Sequence, residues 1–597
     1  MSNAESSRAL RRRLIDVAQG RDNADLIVSG GTLVNVFTSE MYEADVAIAG
    51  ARIAAIGDVG HTRGPRTAVI DASGLVLTPG FIDQHAHIHE SQLNISEFAA
   101  AVVPRGTVGI GTDFYGEVVV SGIRAAHAAL EIADGLPLKV WFLGGMPAYY
   151  QNLPFGHSGT PSREELLREI AQDYCLGIDD TSSVRVVGGD DSQLEVVDEV
   201  LRYGKQVSGH GAGLSVEQAN AWAAYCLSLD DHECVTAEEA VAKARLGIRI
   251  SVREGSGVYD LDAVIRAITE HGVDARRFCF CTDVPAAVRM TTDGHIDHLI
   301  RKAIAGGLDP ITAIQMATLN GAECLRVETD HGAIAPGKVA DIVLLSSLED
   351  VTVDAVVVDG RVAAEGGALL ARSTGVTFPD WAYGTVRLRE ITPDDFVIRV
   401  SGQRSSARVR VIEAEGTTII TQEGVAELPV VDGCVASDPG RDILKLAAFE
   451  RVRGTSEWFV GLVRGFGLSR GALATTFNSQ AENLMVVGAS NEDMAVAANA
   501  LREHGGGFAI AEGGELRDML PLPIFGLQAE LPYEDVAEML QRLNARATEL
   551  GCSMPEPFAT LGFVGTPVEA GHLKLAPEGL VDVATATVVS LEVDGSY

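Results

Sequence analysis

His85 and His87 stand two residues apart at the end of the run VLTPGFIDQHAH. Alternate side chains of an extended strand share a face, so both imidazoles are directed to one side. Two convergent imidazoles suit a divalent metal. His210 closes the run KQVSGH, His232 closes LSLDDH, and Asp283 closes FCFCTD. Neutral imidazole and carboxylate are good donors for borderline divalent metals. A cation so held lowers the pKa of bound water toward ~7 and makes hydroxide available at neutral pH. A polar strand end facing solvent is the bland reading of an isolated His-x-His. Four imidazoles and a carboxylate, all at strand ends, do not fit it.

Residues so placed need a scaffold of many strands. The runs VLTPGFIDQHAH, GTVGIGTDF, LKVWFLGG, VRVVGG, KQVSGH, AYCLSLD, IRISVRE and FCFCTD alternate with helical segments. That is the strand count of a (β/α)8 barrel, whose chemistry sits at the C-terminal strand ends. Ser215 with Gln218 and Thr236 with Glu239 have capping-box spacing, Asp309-Pro310 marks another helix start, and Gly247 a stop. Residues 25 to 75 read instead as short strands with turns at Gly30-Gly31 and Ala49-Gly50-Ala51. The same texture returns in GAIAPGKVADIVLLSS and VDAVVVDGRVAAEG, where Asp359-Gly360 is a hairpin signal. The two pieces are expected to form one β-sandwich from both flanks of an inserted barrel. Beyond about residue 371 the pattern shifts to longer strands and amphipathic helices. The expected α/β architecture is therefore a β-sandwich of 1–78 and 333–370, a barrel of 79–332 and a C-terminal α/β domain of 371–597.

Composition narrows the partners. The chain has 597 residues, 46% of them hydrophobic, enough for several cores. Its formal charge of -35, from 82 acidic against 47 basic residues, would repel a nucleic-acid backbone or an anionic membrane. A small neutral or cationic substrate fits better. No apolar run approaches the ~18 residues of a membrane span, and no signal-peptide core follows the basic N-terminal residues, so a cytoplasmic location is expected. The 8 cysteines show no CxxC pair and read as reduced thiols, with Cys279 and Cys281 as packing residues on one strand face.

LTPGFIDQHAHIHES resembles the first-strand signature of the amidohydrolase superfamily. GHGAGLSVEQANAW, DDHECVTAEEAVAKARLGIRISVREGS, CTDV, GHIDHLIRKAIAGGLDPITAIQMATLNGAE and HGAIAPGKVADIVLL together resemble the adenine deaminases. The resemblance continues at lower density into LPLPIFGL, MLQRLNARATELGC and EGLVDV. It implies a divalent, binuclear centre of iron or manganese, with zinc as the remaining option. His85 and His87 would hold one ion and His210 and His232 the other, while Asp283 would bind metal and shuttle a proton. Hydroxide would attack C6 of adenine to give hypoxanthine and ammonia. Glu254 in VREGS would hydrogen-bond a ring nitrogen, with a structural ion pair as its alternative. The resemblance also implies a homodimer or higher oligomer.

The match falters at the carboxylates. The family's Asp-Pro-His-Glu motif after the second strand is here Asp113-Phe114-Tyr115-Gly116-Glu117. Asp113 is retained as a substrate-side candidate, and Glu117, displaced by one, as a metal-ligand candidate. The family's Ala-Glu-Met segment has no clean counterpart. Glu117, Asp180 and Asp190 are all candidates to bridge the ions, and for the fourth-strand position taking VRVVGG as the strand favours Asp190 over Asp180. His89 is an extra imidazole in the family's His-Ile-Glu-Ser-Ser run and is read as a bystander. The tail's His-Asp-Ser-His run is replaced by Asn478-Ser479-Gln480-Ala481-Glu482-Asn483. Two other readings stand beside adenine deamination: hydrolysis of another ring amidine or cyclic amide, and a catalytically silent binding protein.

Overall fold

The computed structural model describes residues 3–146, 162–189, 191–225, 229–372, 377–400, 404–416, 420–455, 457–566, 571–583, 585 and 587–593. Eight parallel strands form its centre: β1 (Phe81–Asp83), β2 (Thr107–Thr112), β3 (Lys139–Gly145), β4 (Cys175–Ser182), β5 (Gln206–His210), β6 (Leu229–Asp231), β7 (Arg249–Gly255) and β8 (Phe278–Cys281). Each pairs with the next in order. The ring closes between β8 and β1, where Ala86 bridges Asp283 in parallel. His85 O accepts from Asp283 N at 3.0 Å, and Asp283 O accepts from His87 N at 2.9 Å. Asp83 fastens the same seam, accepting from the Thr282 backbone at 3.2 Å and its hydroxyl at 2.6 Å. This is the expected (β/α)8 barrel.

One expected strand is misplaced. VRVVGG is not the fourth strand: Ser183–Val187 is helical, and the strand is the preceding Cys175–Ser182. The helix signals elsewhere hold. Ser215 Oγ accepts from Gln218 N while Gln218 Oε1 accepts from Ser215 N, and Thr236 and Asp309 cap their helices. Gly247 follows its helix at φ 87°, a left-handed position that glycine adopts without a Cβ clash.

The flanks of the barrel share one nine-stranded sheet. Its central ladder joins Val76–Pro79 to Ile342–Ser347 in antiparallel register, Leu77 opposite Leu344. The sheet folds over on itself, because Arg52 in one edge strand bridges Val339 ahead of the central strand Ile342–Ser347 and the Asp359-Gly360 hairpin tip packs on Gly50. Val28, Leu33, Val46, Ile53, Ile342 and Val357 fill the space between. A ten-stranded, mainly antiparallel sheet runs from Ile398 to Pro521 and carries the helices Asn491–His504, Tyr533–Glu549 and Pro557–Phe563. This C-terminal domain covers the barrel mouth. Leu93 bridges Ala529, Ala529 N donates to Gln92 O at 2.9 Å, and Asn94 Nδ2 donates to Ala529 O at 3.0 Å. Among the described residues no helix is long and apolar enough to cross a membrane, and no disulfide forms.

Candidate active site

Strand β4 carries two acidic residues in succession, which in regular pleating would face opposite sides of the barrel wall. A register shift against β5 prevents this. Val207 pairs with Ile178 and Gly209 with Thr181, so Asp179 and Asp180 together oppose Ser208 alone. Asp180 adopts φ 56°, a left-handed conformation costly for a residue with a Cβ. The bulge turns both carboxylates inward. Asp179 Oδ2 lies 2.8 Å from His85 Nδ1, and Asp180 Oδ1 lies 2.9 Å from His210 Nε2.

Asp180 is the centre of the cluster. Its oxygens lie 4.0 Å from His85 Nε2, 3.5 Å from His87 Nε2 and 3.8 Å from His232 Nε2. His85 and His232 stack with ring centroids 4.0 Å apart, and His210 meets His232 edge-on at 4.8 Å. Asp283 Oδ1 closes the other side, 3.3 Å from His85 Nε2 and 3.4 Å from His87 Nε2. Three overlapping donor groups result: His85 with Asp179, Asp180 and His232; His85 with His87 and Asp283; and His87 with Asp113 and Asp180. His232 tests the fit to a cation. It is 1% exposed, and neither ring nitrogen has a hydrogen bond. A buried imidazole without a partner is costly, and a metal ion would satisfy it.

The surroundings prepare these donors. Asp179 holds Nδ1 of His85, and Asp113 Oδ1 holds Nδ1 of His87 at 3.1 Å, leaving each Nε2 toward the cluster. Burial disfavours charge on His87, yet Asp113 and Asp180 outweigh it and push its pKa up to about 10. His85 moves the same way, burial being overcome by Asp179 and Asp283. Burial would raise Asp283, but His85 and Arg253 hold it well below the usual carboxylate range. Arg253 Nη1 lies 2.9 Å from Asp283 Oδ2 and its Nη2 lies 2.9 Å from Asp260 Oδ2.

Three expectations change at this point. Asp190 lies outside the described residues, while Asp180, the other candidate, is the carboxylate that the four histidines surround. Glu117 belongs to none of the donor groups: Gln528 Nε2 donates to its Oε1 at 2.5 Å, and His89 Nδ1 is 3.5 Å from its Oε2. Asp113 is buried behind His87 and does not line the mouth cavity. Glu254 turns outward to Lys302 Nζ at 2.7 Å, because its neighbour Arg253 takes the inward position and adjacent strand residues alternate. The cavity is lined instead by His87, Glu90, Tyr115, Glu233, Arg253 and Asp283, joined by Ser479 and Gln480 from the C-terminal domain. Among the residues the sequence reading left unassigned, Arg253 and Glu233 stood inside quoted motifs, and Asp179 beside a named candidate. Ser479 and Gln480 stood in the run that replaces the family's His-Asp-Ser-His segment, but their approach to the barrel is purely tertiary and carried no signal of its own.

Two relatives match this chain over nearly its whole length. "Adenine deaminase" of Clostridium botulinum is 38% identical over 595 residues, 98% of this chain and 98% of its own. "Adenine deaminase" of Moorella thermoacetica is 38% identical over 584 residues, covering 97% and 98%. The chain belongs to the adenine deaminase family. Within it, residues 76–363 match the amidohydrolase family and residues 418–587 the adenine deaminase C-terminal domain. A solved adenosine deaminase of Xanthomonas campestris with bound zinc has 14% identity and a TM-score of 0.46 over 59% of this chain and 95% of its own. The family's usual barrel and tail are thus both present, with the tail seated on the barrel mouth.

Proposed function

We propose that this protein hydrolyses adenine to hypoxanthine and ammonia. The observation that carries the reading is the convergence of His85, His87, His210 and His232 on Asp180 at the barrel mouth, with Asp283 against His85 and His87. In this reading His85, His87 and Asp283 would hold one divalent cation and His210 and His232 a second, with Asp180 within 4.0 Å of all four imidazoles. Iron or manganese is the first choice, with zinc next, since all three accept these donors. Cations held there supply electrostatic activation of the attacking water. Asp283 takes a proton from that water, and Arg253 keeps its carboxylate ionised and oriented for the task. The same proton then passes to the departing amine at C6, so the products leave as hypoxanthine and neutral ammonia. Glu233 and Arg253 line the wall beside Asp283. The family resemblance also supports a homodimer or larger assembly, which light scattering measures.

Ammonia release from adenine by protein reconstituted with Fe(II), Mn(II) or Zn(II) is the test. Turnover that depends on metal and is abolished in His210→Ala is the expected result. Cytosine, guanine and cyclic amides belong in the same assay, because the tail run Asn478–Asn483 and the short Asp180 carboxylate both depart from the family pattern. Turnover of one of these in place of adenine would replace the substrate named here.

A further inference from the structure

Glu90 is a buried carboxyl group, 3% exposed, whose two oxygens have different circumstances. Oε1 accepts from the Tyr115 hydroxyl at 2.7 Å and from Ser479 Oγ at 3.3 Å, and those two hydroxyls lie 2.9 Å apart. Oε2 is buried without a hydrogen bond. Glu90 lines the metal-side cavity and also an apolar cavity walled by Phe477, Phe508 and Phe558; the two cavities share only Glu90 and Val284. The two acids expected to face the substrate are committed elsewhere, Glu254 to Lys302 and Asp113 to His87, and Glu117, expected as a metal ligand, is held by Gln528.

We propose that Glu90 reads the substrate ring by donating a hydrogen bond from its Oε2 hydroxyl to an unprotonated ring nitrogen, in a geometry set jointly by Tyr115 and Ser479. This deepens, and rests on, the deaminase reading above. Two hydroxyl donors on Oε1 leave the carboxyl proton on Oε2, where it has no protein acceptor. A buried polar group left unpaired is costly, and a ligand that pairs it recovers that cost only on binding. The required ligand is an aminopurine or similar heteroaromatic ring with a pyridine-type nitrogen beside the reacting carbon's ring system. Burial, opposed in part by His87, pushes the Glu90 pKa up to about 7, so the protonated carboxyl is accessible near neutral pH. Ser479 comes from the C-terminal domain, so ring recognition is shared between barrel and tail.

The test uses adenine together with 1-deaza-, 3-deaza- and 7-deazaadenine, measured as equilibrium binding to the metal-loaded protein, with kcat and KM for adenine and metal content in parallel. In the unaltered protein, the analogue lacking the recognised nitrogen should bind roughly ten- to a hundredfold more weakly than adenine. In Glu90→Met that penalty should vanish, because adenine loses the same contact, while metal content stays unchanged. Glu90→Gln, which keeps a donor at the Oε2 position, should restore part of the discrimination, and Tyr115→Phe should weaken it with Glu90 in place. An unchanged deaza profile in both Glu90→Met and Glu90→Gln would overturn the inference while leaving the deaminase reading intact. A protein that neither binds nor deaminates adenine would bring down both.

Discussion

At the scale of single residues, the site is a set of bases competing for protons and metal. His85 and His87 have raised proton affinities because Asp179 and Asp113 stand behind them. A divalent ion must displace those protons, so metal binding should release on the order of one to two protons and tighten as pH rises. Calorimetry in buffers of different ionisation enthalpy measures the release, and a pH-independent affinity would contradict it. Asp179→Asn removes the acceptor that orients His85 and should weaken metal binding by about 10–100-fold, read from competition with a chelating dye. Asp180→Asn should cost more than Asp179→Asn, because Asp180 touches four histidines and Asp179 only one.

At the scale of elements, strand β4 is where function conceals structure. Its apolar half, Cys175 to Ile178, is short, and its polar half, Asp179-Asp180-Thr181, resembles a loop because its carboxylates face the barrel interior. The β-branched run that follows it reads as a strand yet forms a helix turn. The His-x-His pair and the ends of β5, β6 and β8 were legible because ordinary strand periodicity and apolar flanks announced them. The bulge at Asp180 was not, since it depends on the register against β5. Glycine makes that close register possible: a Cβ on Gly209 would meet Thr181 O at 2.4 Å, and one on Gly177 would meet Gln206 O at 1.9 Å. Gly209→Ala should therefore destabilise the barrel by about 1–3 kcal/mol and move Asp180, giving a lower Tm together with reduced metal occupancy. A lower Tm with full occupancy would separate stability from the site.

At the scale of the whole molecule, the two large domains meet through buried carboxyl groups. Glu482 lies 3.8 Å from His89 and 3.9 Å from the buried Arg451, and Gln528 reaches from the tail to Glu117. His89, expected to be a bystander, fills this interface: a side chain on Gly116 would meet its ring at 2.5 Å. Burial pushes both Glu117 and Glu482 up to about 8, Arg451 offsetting only part of the effect at Glu482. Carboxyls that bind protons more tightly when folded contribute stability below their unfolded pKa of about 4.5 and lose it as pH rises toward 8. The melting temperature should fall over that window, and Glu482→Gln should flatten the decline. A steeper decline in that variant would mean that the ionised Glu482 stabilises the interface instead. None of this packing was readable along the chain, because every contact joins segments far apart in sequence.

The ladder between Leu77 and Leu344 has a consequence for how the chain reaches this state. During synthesis Val76–Pro79 emerges long before its partner strand, and the entire barrel must be made in the interval. Until then an apolar strand edge is exposed, open to pairing with another copy. Non-local closure of this kind slows folding more than it affects final stability. Expression at lower temperature, or with chaperones that shield strand edges, should raise the soluble yield without changing the Tm of the finished protein.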